Sequence, residues 1–321
     1  MKNATFRQLR VFSEVARHLS FRKAADALHL TPPAVTMQVK ELEGQIGLPL
    51  FEREGRQVHL TTVGEYMLVY ARKILATLKD AEDAAARLKG LQVGRLTIGM
   101  VSTAQYFLPR LLAQFQHEHE GIEVQLAMGN RAQLYAMLQA NEVDIAIMGR
   151  APRELATRAE PFAAHPHVFV APAGHPLLAR GSVPLSALQP WGFLMRESGS
   201  GTRAALQAFF DQHRAVPVIR MEMASNEALK QAVIAGLGLS FLSLHTLGLE
   251  LEHGLLGIID VQGGPVLRSW NVVHTHAKLL SPAAERFRYS ILEQGEAFLA
   301  RQFGQHLSLA PFERSKSKHS C

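Results

Sequence analysis

Residues 196–203 read RESGSGTR and run directly into the apolar helical pattern AALQAFFDQ. Gly199, Gly201 and Ala204 have the spacing G-x-G-x-x-A, and Glu222 follows near the distance at which a dinucleotide-binding fold places its ribose carboxylate. The stretch could therefore bind a dinucleotide cofactor, cradle a phosphate in a catalytic loop, or form another turn that accepts an anion. It lacks the lysine of a G-x-x-x-x-G-K-[ST] loop, and it lies within its domain rather than at the start.

Other turns that lead from a strand into a helix also carry hydroxyl or amide side chains. Such turns offer free backbone N–H groups, which can bind a carboxylate or phosphate. Each Ser, Thr or Asn alone is explained by an ordinary N-cap. Four such turns that face one cleft favour a site for a small anionic metabolite, with arginines supplying charge. The predicted effector-binding residues are Ser102, Thr103, Asn130, Arg150, Arg196, Ser198, Ser200, Thr202, Arg203 and Asn226.

Three histidine pairs have i, i+2 spacing, which places both side chains on one face of a strand. No Asp, Glu or Cys accompanies them at ligand spacing, so we interpret them as surface or core histidines and predict neither a metal site nor a cofactor. The pairs are His117/His119, His165/His167 and His274/His276.

The composition is that of an ordinary globular protein. The chain has 321 residues, a net charge of +6, 47% hydrophobic residues and 19% charged residues. The positive charge permits a polyanionic partner. Cys321 is the only cysteine, which excludes a disulfide framework and a cysteine zinc finger. We find neither a run of eighteen apolar residues nor a signal-peptide pattern, so we predict no membrane span and a cytoplasmic location.

Residues 5–60 contain three short helical patterns, and the turn between the second and third is typical of a helix-turn-helix. Ser20 and Thr31 are the predicted N-caps of the second and third helices. Two extended runs flank residues 54–56 and predict a β-hairpin wing. The outward face of the third helix is placed to contact bases, and the basic residues nearby are placed to contact phosphates. The predicted DNA-binding residues are Arg22, Lys23, Thr31, Pro32, Pro33, Thr36, Met37, Lys40, Arg53 and Arg56.

Residues 63–90 contain neither proline nor an internal glycine after the first turn, and their apolar residues step alternately by four and three. This heptad pattern predicts one long helix that pairs with a second copy of the chain. The alternative is a helix that packs on its own domain, since alanine is a weak residue at a coiled-coil seam. The seam positions are Met67, Ala71, Ile74, Leu78, Ala81, Ala85 and Leu88.

From Gly94 onward, strand and helix patterns alternate in two similar runs, which predicts two α/β lobes with a cleft between them. In such sheets, ligands bind where the carboxyl ends of strands lead into helices. The predicted domains are a DNA-binding domain over 1–62, a linker helix over 63–90 and an effector-binding domain over 91–303, followed by a disordered tail over 304–321. The first lobe comprises about 91–160 and 268–303, and the second about 161–267.

The N-terminal segment resembles the signature of the LysR-type transcriptional regulators, and the resemblance extends from residue 3 to about residue 300. The Ala24-Ala25 pair, TPPAVTMQVKELE, LPLFER and LTTVGE stand in family order. The resemblance implies a winged helix-turn-helix, a dimerising linker helix and a two-lobed effector domain like a periplasmic binding protein. It also implies dimers of dimers on a dyad-symmetric DNA operator. Pro32 departs from the glutamine that the family often has, and it can make only apolar contact with a base.

Within the family, VSTAQYFLPRLLAQF, RESGSGTR and SNEALKQAVIAGLGLSFL most resemble regulators of the RuBisCO operon of the Calvin cycle. That resemblance implies control by a metabolite such as phosphoenolpyruvate, NADPH or a sugar phosphate. We predict a DNA-binding regulator in which the effector shifts the population of conformations, changes DNA bending and alters contact with RNA polymerase. The alternatives are an NAD(P)-binding enzyme that uses the Gly199/Gly201 loop and a LysR-type regulator of another operon. A transport-type binding protein is disfavoured by the winged helix.

Overall fold

The computed structural model describes residues 3–55, 57–88, 94–151 and 155–307. The chain divides into two compact units. The first comprises residues 1–91 together with 140–142, and the second is built from residues 92–139 and 143–321. The predicted linker helix therefore belongs to the same unit as the N-terminal helices.

Three helices form the start of the first unit, and each begins at a side chain that accepts a backbone N–H. They are α1 (Phe6–His18), α2 (Phe21–Leu28) and α3 (Pro32–Ile46). Ser20 Oγ accepts from the N–H of Lys23 at 3.3 Å, and Thr31 Oγ1 accepts from the N–H of Ala34 at 3.4 Å, so both predicted N-caps are present. Pro32 and Pro33 occupy the first turn of α3, where a missing N–H costs nothing.

A short hairpin and a long helix complete this unit. Strands β1 (Phe51–Glu54) and β2 (Gln57–Leu60) pair antiparallel, and α4 spans Thr62–Leu88. Thr61 joins them, because its hydroxyl donates to the carbonyl of Pro49 at 2.8 Å and accepts from the N–H of Gly64 at 3.0 Å. A Cβ at Gly64 would lie 2.1 Å from the carbonyl oxygen of Leu50, so only glycine allows this approach.

The predicted heptad seam of α4 is only partly free. Ala71 is fully buried and packs with Leu9, Phe12, Leu42 and Leu50 of the same unit, and Met67 lies against this cluster. These two seam positions therefore stabilise their own unit, which corrects the prediction that the whole seam faces a partner. The exposed apolar stripe is offset from the predicted seam and shares only Ile74 with it. It consists of Tyr66, Val69, Tyr70 and Ile74, which are 69%, 50%, 60% and 38% exposed.

The second unit alternates strands and helices as predicted. Its strands are β3 (Gly94–Val101), β4 (Ile122–Gly129), β5 (Ile145–Met148), β6 (Thr157–Pro172), β7 (Phe193–Arg196), β8 (Ile219–Met223), β9 (Leu239–Ser243), β10 (Leu256–Ile259) and β11 (Val266–Thr275). Its helices are α5 (Leu108–Glu118), α6 (Arg131–Gln139), α7 (Gly201–Gln212), α8 (Asn226–Ile234), α9 (Gly248–Glu252) and α10 (Pro282–Leu307). The sequence reading missed β10 and α9, which are short.

All nine strands belong to one sheet of order β4-β3-β5-β11-β6-β9-β7-β8, with β10 paired to β6. Strand β3 is parallel to β4 and β5, and β7 is parallel to β8 and β9, so each lobe has the predicted parallel arrangement. The lobes share β6 and β11, which pair antiparallel from Val266↔His167 to Thr275↔Thr157. A register irregularity lies between Trp270 and Asn271 of this shared pair.

Helix α10 continues to Leu307, which corrects the predicted start of the tail at residue 304. Residues 308–321, where the rest of the predicted tail lies, are outside the described residues. Among the described helices, none combines the length and the apolar character needed to span a bilayer.

Candidate functional site

The exposed face of α3 presents the residues expected to contact DNA. Met37 is 54% exposed, and Pro32, Pro33 and Lys40 are exposed beside it along a shallow depression that also includes Thr36. The Thr36 hydroxyl donates to the carbonyl of Pro32 at 3.0 Å. Thr36 therefore has only acceptor capacity left for a base edge.

Basic residues flank this face on two other elements. Arg22 and Lys23 are exposed in the first turn of α2, and Arg53 is exposed on β1 of the hairpin. The guanidinium carbon of Arg53 lies 5.8 Å from the centre of the Phe21 ring, which orients the side chain by a cation–π contact. Arg56 lies outside the described residues.

A cleft lies between the lobes of the second unit, at the carboxyl ends of β3, β4, β5 and β7. Seven of the ten predicted effector-binding residues line it, so strand-end turns from both lobes meet as predicted. These seven are Ser102, Thr103, Asn130, Arg150, Arg196, Ser200 and Thr202. The other three, Ser198, Arg203 and Asn226, are not among the lining residues.

Three hydroxyl groups in the cleft have no hydrogen-bond partner among the described residues: those of Thr103, Ser200 and Thr202. All three residues are buried, at 6% exposure each, and all line the cleft. Ser200 is the N-cap of α7, yet its hydroxyl makes no capping bond. The first N–H groups of α7 have no carbonyl to bind within the helix. This end of the cleft therefore presents hydroxyls and the positive end of a helix dipole to a bound group.

Two other turn residues act as ordinary N-caps. Asn130 Oδ1 accepts from the N–H of Gln133 at 3.0 Å, while the Asn130 N–H donates to Gln133 Oε1 at 2.8 Å. Ser225 Oγ accepts from the N–H of Ala228 at 3.3 Å. The side-chain oxygen atoms of Asn130 and Ser225 are therefore both used to cap helices. Asn130 also lines the cleft.

Arg196 is buried, and its charge is already balanced. Its guanidinium binds both carboxylate oxygens of Glu197, at 2.8 and 3.0 Å, and also donates to Asn226 Oδ1. A further N–H group donates to Ser102 Oγ at 3.2 Å. Arg196 and Asn226 therefore position the Ser102 turn, since both donate to Ser102 Oγ. Arg196 lines the cleft with its charge already paired, Asn226 is not among the lining residues, and contact of either with an effector stays a prediction.

The Arg203 side chain and the backbone of Ser198 contact Glu222, and neither residue lines the cleft. Arg203 forms an ion pair with Glu222, and the N–H of Ser198 donates to Glu222 Oε1 at 3.3 Å. The hydrogen bond from Arg203 lowers the pKa of Glu222 below its usual value. Because Glu222 is paired with Arg203 and Ser198, it is not placed to bind a ribose. The G-x-G-x-x-A spacing of the loop therefore has no carboxylate at Glu222 for a dinucleotide.

The cleft also contains four charged or polar residues that the sequence reading did not assign to it: Arg131, His165, His167 and Arg268. Arg131 directly follows Asn130, so its position at the start of α6 was a usable signal. The i, i+2 spacing predicts both histidines on one face of a strand, and the structure places that face inward, where both line the cleft. Arg268 lies on β11, and no local pattern distinguishes it.

The two cleft histidines are uncharged near neutral pH. Burial lowers the pKa of His165 well below its usual value, and His167, His245 and Arg268 add to this effect. Burial and Arg268 lower the pKa of His167 to about 3. His165 stacks on Trp270 with ring centres 3.8 Å apart, and its Nδ1 is buried without a partner among the described residues. The positive charge of the cleft therefore comes from arginines.

The cleft is narrow. Gly199 has a φ of +85°, and a Cβ there would lie 3.3 Å from the Cβ of Ala132 on the opposite lobe. About 410 Å³ is free of protein atoms, but the centre of a water molecule can occupy only about 30 Å³ of it. Since one water needs roughly 10–15 Å³ of such space, a metabolite can enter only if the lobes or side chains move.

Metal ligation has no support in the described parts of the chain, where no group of three or more His, Cys, Asp or Glu side chains is arranged to hold an ion. His165 and His167 are buried and stack on Trp270 and Phe241.

Comparison with known proteins identifies both units. Residues 6–65 match the bacterial regulatory helix-turn-helix protein family of lysR type, and residues 89–296 match the LysR substrate binding domain. The chain is 48% identical over 304 residues to the HTH-type transcriptional regulator CfxR of Cupriavidus necator, covering 95% of this chain and 96% of that protein. It is 47% identical over 292 residues to the RuBisCO operon transcriptional regulator of Allochromatium vinosum, covering 91% and 97% of the two chains.

Among solved structures, the regulatory domain of CcmR from Synechocystis PCC6803, in complex with 2-PG, aligns with a TM-score of 0.60 and 40% identity. The alignment covers 62% of this chain and 96% of that one. The chain belongs to the LysR family of bacterial transcriptional regulators. These matches confirm the predicted family, the fold class and a DNA-binding regulator rather than an enzyme.

Proposed function

We propose that this regulator controls carbon-fixation genes of the RuBisCO operon, as an activator, and that a small anionic metabolite bound in the cleft sets its activity. The relatives support the target, since one carries the name RuBisCO operon transcriptional regulator and is 47% identical. The complex of the CcmR regulatory domain with 2-PG supports a ligand of this kind.

One observation carries the effector class: free hydroxyls, the N-terminus of α7 and arginines converge in a single cleft. Thr103, Ser200 and Thr202 supply the hydroxyls, while Arg150 and Arg268 supply positive charge. Such donors suit a phosphate or carboxylate. The narrow cleft favours a compact metabolite such as phosphoenolpyruvate over a nucleotide such as NADPH. The ligand acts as an effector, and no catalytic cofactor takes part.

The proposed mechanism is a shift between two lobe arrangements. Entry of a metabolite requires more space than the narrow cleft provides, so the ligand binds the two arrangements with different affinities. Only such a difference lets a ligand move a conformational equilibrium. The lobe movement changes the spacing of paired recognition helices on the operator, and with it the DNA bend and the contact with RNA polymerase.

Pairing of recognition helices requires at least a dimer. The stripe of Tyr66, Val69, Tyr70 and Ile74 on α4 leaves large apolar side chains exposed, and burial against a second copy would remove them from water. We therefore infer a homodimer through this stripe and, on a dyad-symmetric operator, a homotetramer. Its place of action is the cytoplasm, where the chromosomal DNA lies.

The proposed function is tested by footprinting and bend-angle measurement on the control region of the RuBisCO genes. The full chain is assayed alone and with saturating phosphoenolpyruvate, 2-PG or NADPH. We expect specific protection without ligand and a changed footprint or bend with at least one of them. An identical footprint and bend with all three would contradict gating by these anions. If the protein does not bind this region but captures another promoter from a mixture of genomic fragments, it regulates a different operon.

A further inference from the structure

Three arginines meet at the outer edge of the cleft. Arg131 begins α6, Arg150 follows β5, and Arg268 lies on β11. All three line the inner cleft, and all three also line an adjoining groove on the outside of α7. The cluster therefore stands between two spaces that differ in size and lining.

None of these arginines forms an ion pair with a carboxylate within the part of the chain that the structure describes. Arg131 donates to the carbonyls of Arg150 and Ala151 at 3.4 and 3.5 Å, and Arg268 donates to the carbonyl of Gly201 at 2.8 Å.

Three other arginines of the same unit behave differently. Arg196, Arg203 and Arg288 each pair with a glutamate. The cluster differs from these three in that its guanidinium groups have no carboxylate partner among the described residues, although they lie beside the cleft.

The like charges in this cluster repel one another. Burial lowers the pKa of Arg268, and the charges of Arg150 and Arg131 lower it further. A cation held among cations without a counter-ion is stabilised by any anion that binds beside it. The cluster is therefore favourable for an anionic group before any ligand identity is considered.

The adjoining groove has room for such a group without rearrangement. The centre of a water molecule can occupy about 370 Å³ there, against about 30 Å³ in the inner cleft. Apart from Gln212, small and apolar residues form its other walls, including Ala204 and Ala208 of α7 and Leu267, and no acidic residue is among its lining. Such a wall accepts a short carbon chain, while the guanidinium groups bind the charged end.

We propose that Arg131, Arg150 and Arg268 form a second anion site, separate from the hydroxyl and N–H groups of the inner cleft, and that it binds a phosphate or carboxylate in the outer groove. This proposal rests on the proposed effector-binding function and adds a second binding site to it. Two sources supply the same chemistry: a second anionic group of one elongated effector, or a separate small anion.

The first experiment measures binding of inorganic phosphate to the full chain by calorimetry at low ionic strength, without DNA. Arg150 is exposed and makes no side-chain hydrogen bond among the described residues, so R150Q preserves the fold. We expect R150Q and R268Q to weaken phosphate binding about tenfold. R180Q, which removes another exposed positive charge in the second lobe, should leave phosphate binding unchanged. Phosphate binding that is absent from the wild type, or equal in R150Q and the wild type, overturns the second site.

The second experiment compares ribose 5-phosphate with ribose 1,5-bisphosphate. If one effector spans both sites, the bisphosphate binds at least tenfold more tightly in the wild type, and the ratio falls towards one in R150Q. If the anion is separate, the monophosphate and inorganic phosphate bind together without competition. Either result supports the site. The proposal is contradicted if ribose 5-phosphate competes with inorganic phosphate and ribose 1,5-bisphosphate binds no more tightly than ribose 5-phosphate. That result would mean that one site binds all three ligands. These readouts involve no DNA, so they fail independently of the transcriptional role.

Discussion

Arg196, at the end of β7 in one lobe, donates a hydrogen bond to Ser102 Oγ, in the turn after β3 of the other lobe, at 3.2 Å. A second bridge lies nearby, because the Tyr106 hydroxyl donates to Glu227 Oε1 at 2.5 Å. Both bonds join the lobes beside the cleft. A ligand that opens the cleft must lengthen or replace them, so they favour the narrow arrangement in the absence of ligand.

Replacement of Thr202 by valine tests whether the free hydroxyl groups of the cleft bind the effector. T202V removes a free hydroxyl from the cleft and keeps the shape of the side chain, so we expect about tenfold weaker binding of 2-PG with little loss of stability. The matched control is S281A. It removes the Ser281 cap on the N–H of Ala284 and should cost about 1 kcal/mol of stability without changing affinity. Calorimetry and urea unfolding separate the two effects; equal affinity of T202V and wild type would contradict the assignment.

Replacement of Gly64 by alanine tests the join between the hairpin and α4. The added Cβ would lie 2.1 Å from the carbonyl oxygen of Leu50, so backbone must move. We expect a loss of roughly 2 kcal/mol or more and reduced operator binding. Gly44, on α3, has open space where a Cβ would lie, and G44A should be neutral or stabilising by up to about 1 kcal/mol. Circular dichroism during urea unfolding measures both, and equal stabilities would refute the steric argument.

Replacement of Lys40 and Met37 distinguishes phosphate contact from base contact. We expect K40A to weaken binding to cognate and random duplexes about equally and to reduce the slope of log K against log salt by about 1. M37A removes an exposed apolar side chain and should weaken cognate binding alone. Gel-shift titrations at several salt concentrations measure these effects. A K40A loss confined to the cognate site would instead identify Lys40 as a base reader.

The buried His167 predicts a pH dependence of stability. Its pKa is lowered to about 3 in the folded chain, whereas an exposed histidine in the unfolded chain titrates near 6.5. Below about pH 6.5, the unfolded state binds a proton at His167 that the folded state does not bind. The contribution of His167 to the free energy of unfolding is therefore full above this pH and decreases as the pH falls towards 3. The loss from this one group is about 2 kcal/mol at pH 5. Urea unfolding of H167Q should show a shallower pH dependence, while H276Q, which changes an exposed histidine, should match the wild type.

Replacement of Tyr70 by glutamate tests the dimer stripe on α4. Tyr70 is 60% exposed, so Y70E should leave the fold of the unit intact while placing a charge at the inferred contact between copies. We expect a shift from dimer or tetramer towards monomer in sedimentation velocity, with weaker operator binding. K73A, on the same helix, is the control for a change of a polar exposed side chain. An unchanged sedimentation profile of Y70E would place the dimer contact elsewhere.

The sequence predicted those features of the site that are local in the chain. A strand followed by Ser, Thr or Asn and then a helix can be read from adjacent residues, and this rule found Ser102, Thr103, Ser200 and Thr202. Arg203, which is next to Thr202, was predicted as a source of positive charge in the same turn. Consecutive helical residues point about 100° apart, so Arg203 faces Glu222 while Thr202 faces the cleft.

The residues that the sequence reading missed depend on sheet order. Arg268 on β11 and His165 on β6 reach the cleft only because β11 lies between β5 and β6, a pairing between distant segments. Periodicity shows that a strand has two faces, but it does not show which neighbour lies beside it. The same limit applies to α4, where burial of Ala71 depends on how the helix packs on α1.

The paired strands β6 and β11 are the part of the sheet that both lobes share. Ladder hydrogen bonds along both strands oppose sliding of one strand past the other, whereas two adjacent strands bend and twist at much lower cost. The register irregularity at Trp270 and Asn271 interrupts this ladder, and such an irregularity bends a strand locally. His165 lines the cleft and stacks on Trp270 at this point, so one side-chain contact connects the cleft to the bend in the strands that the lobes share.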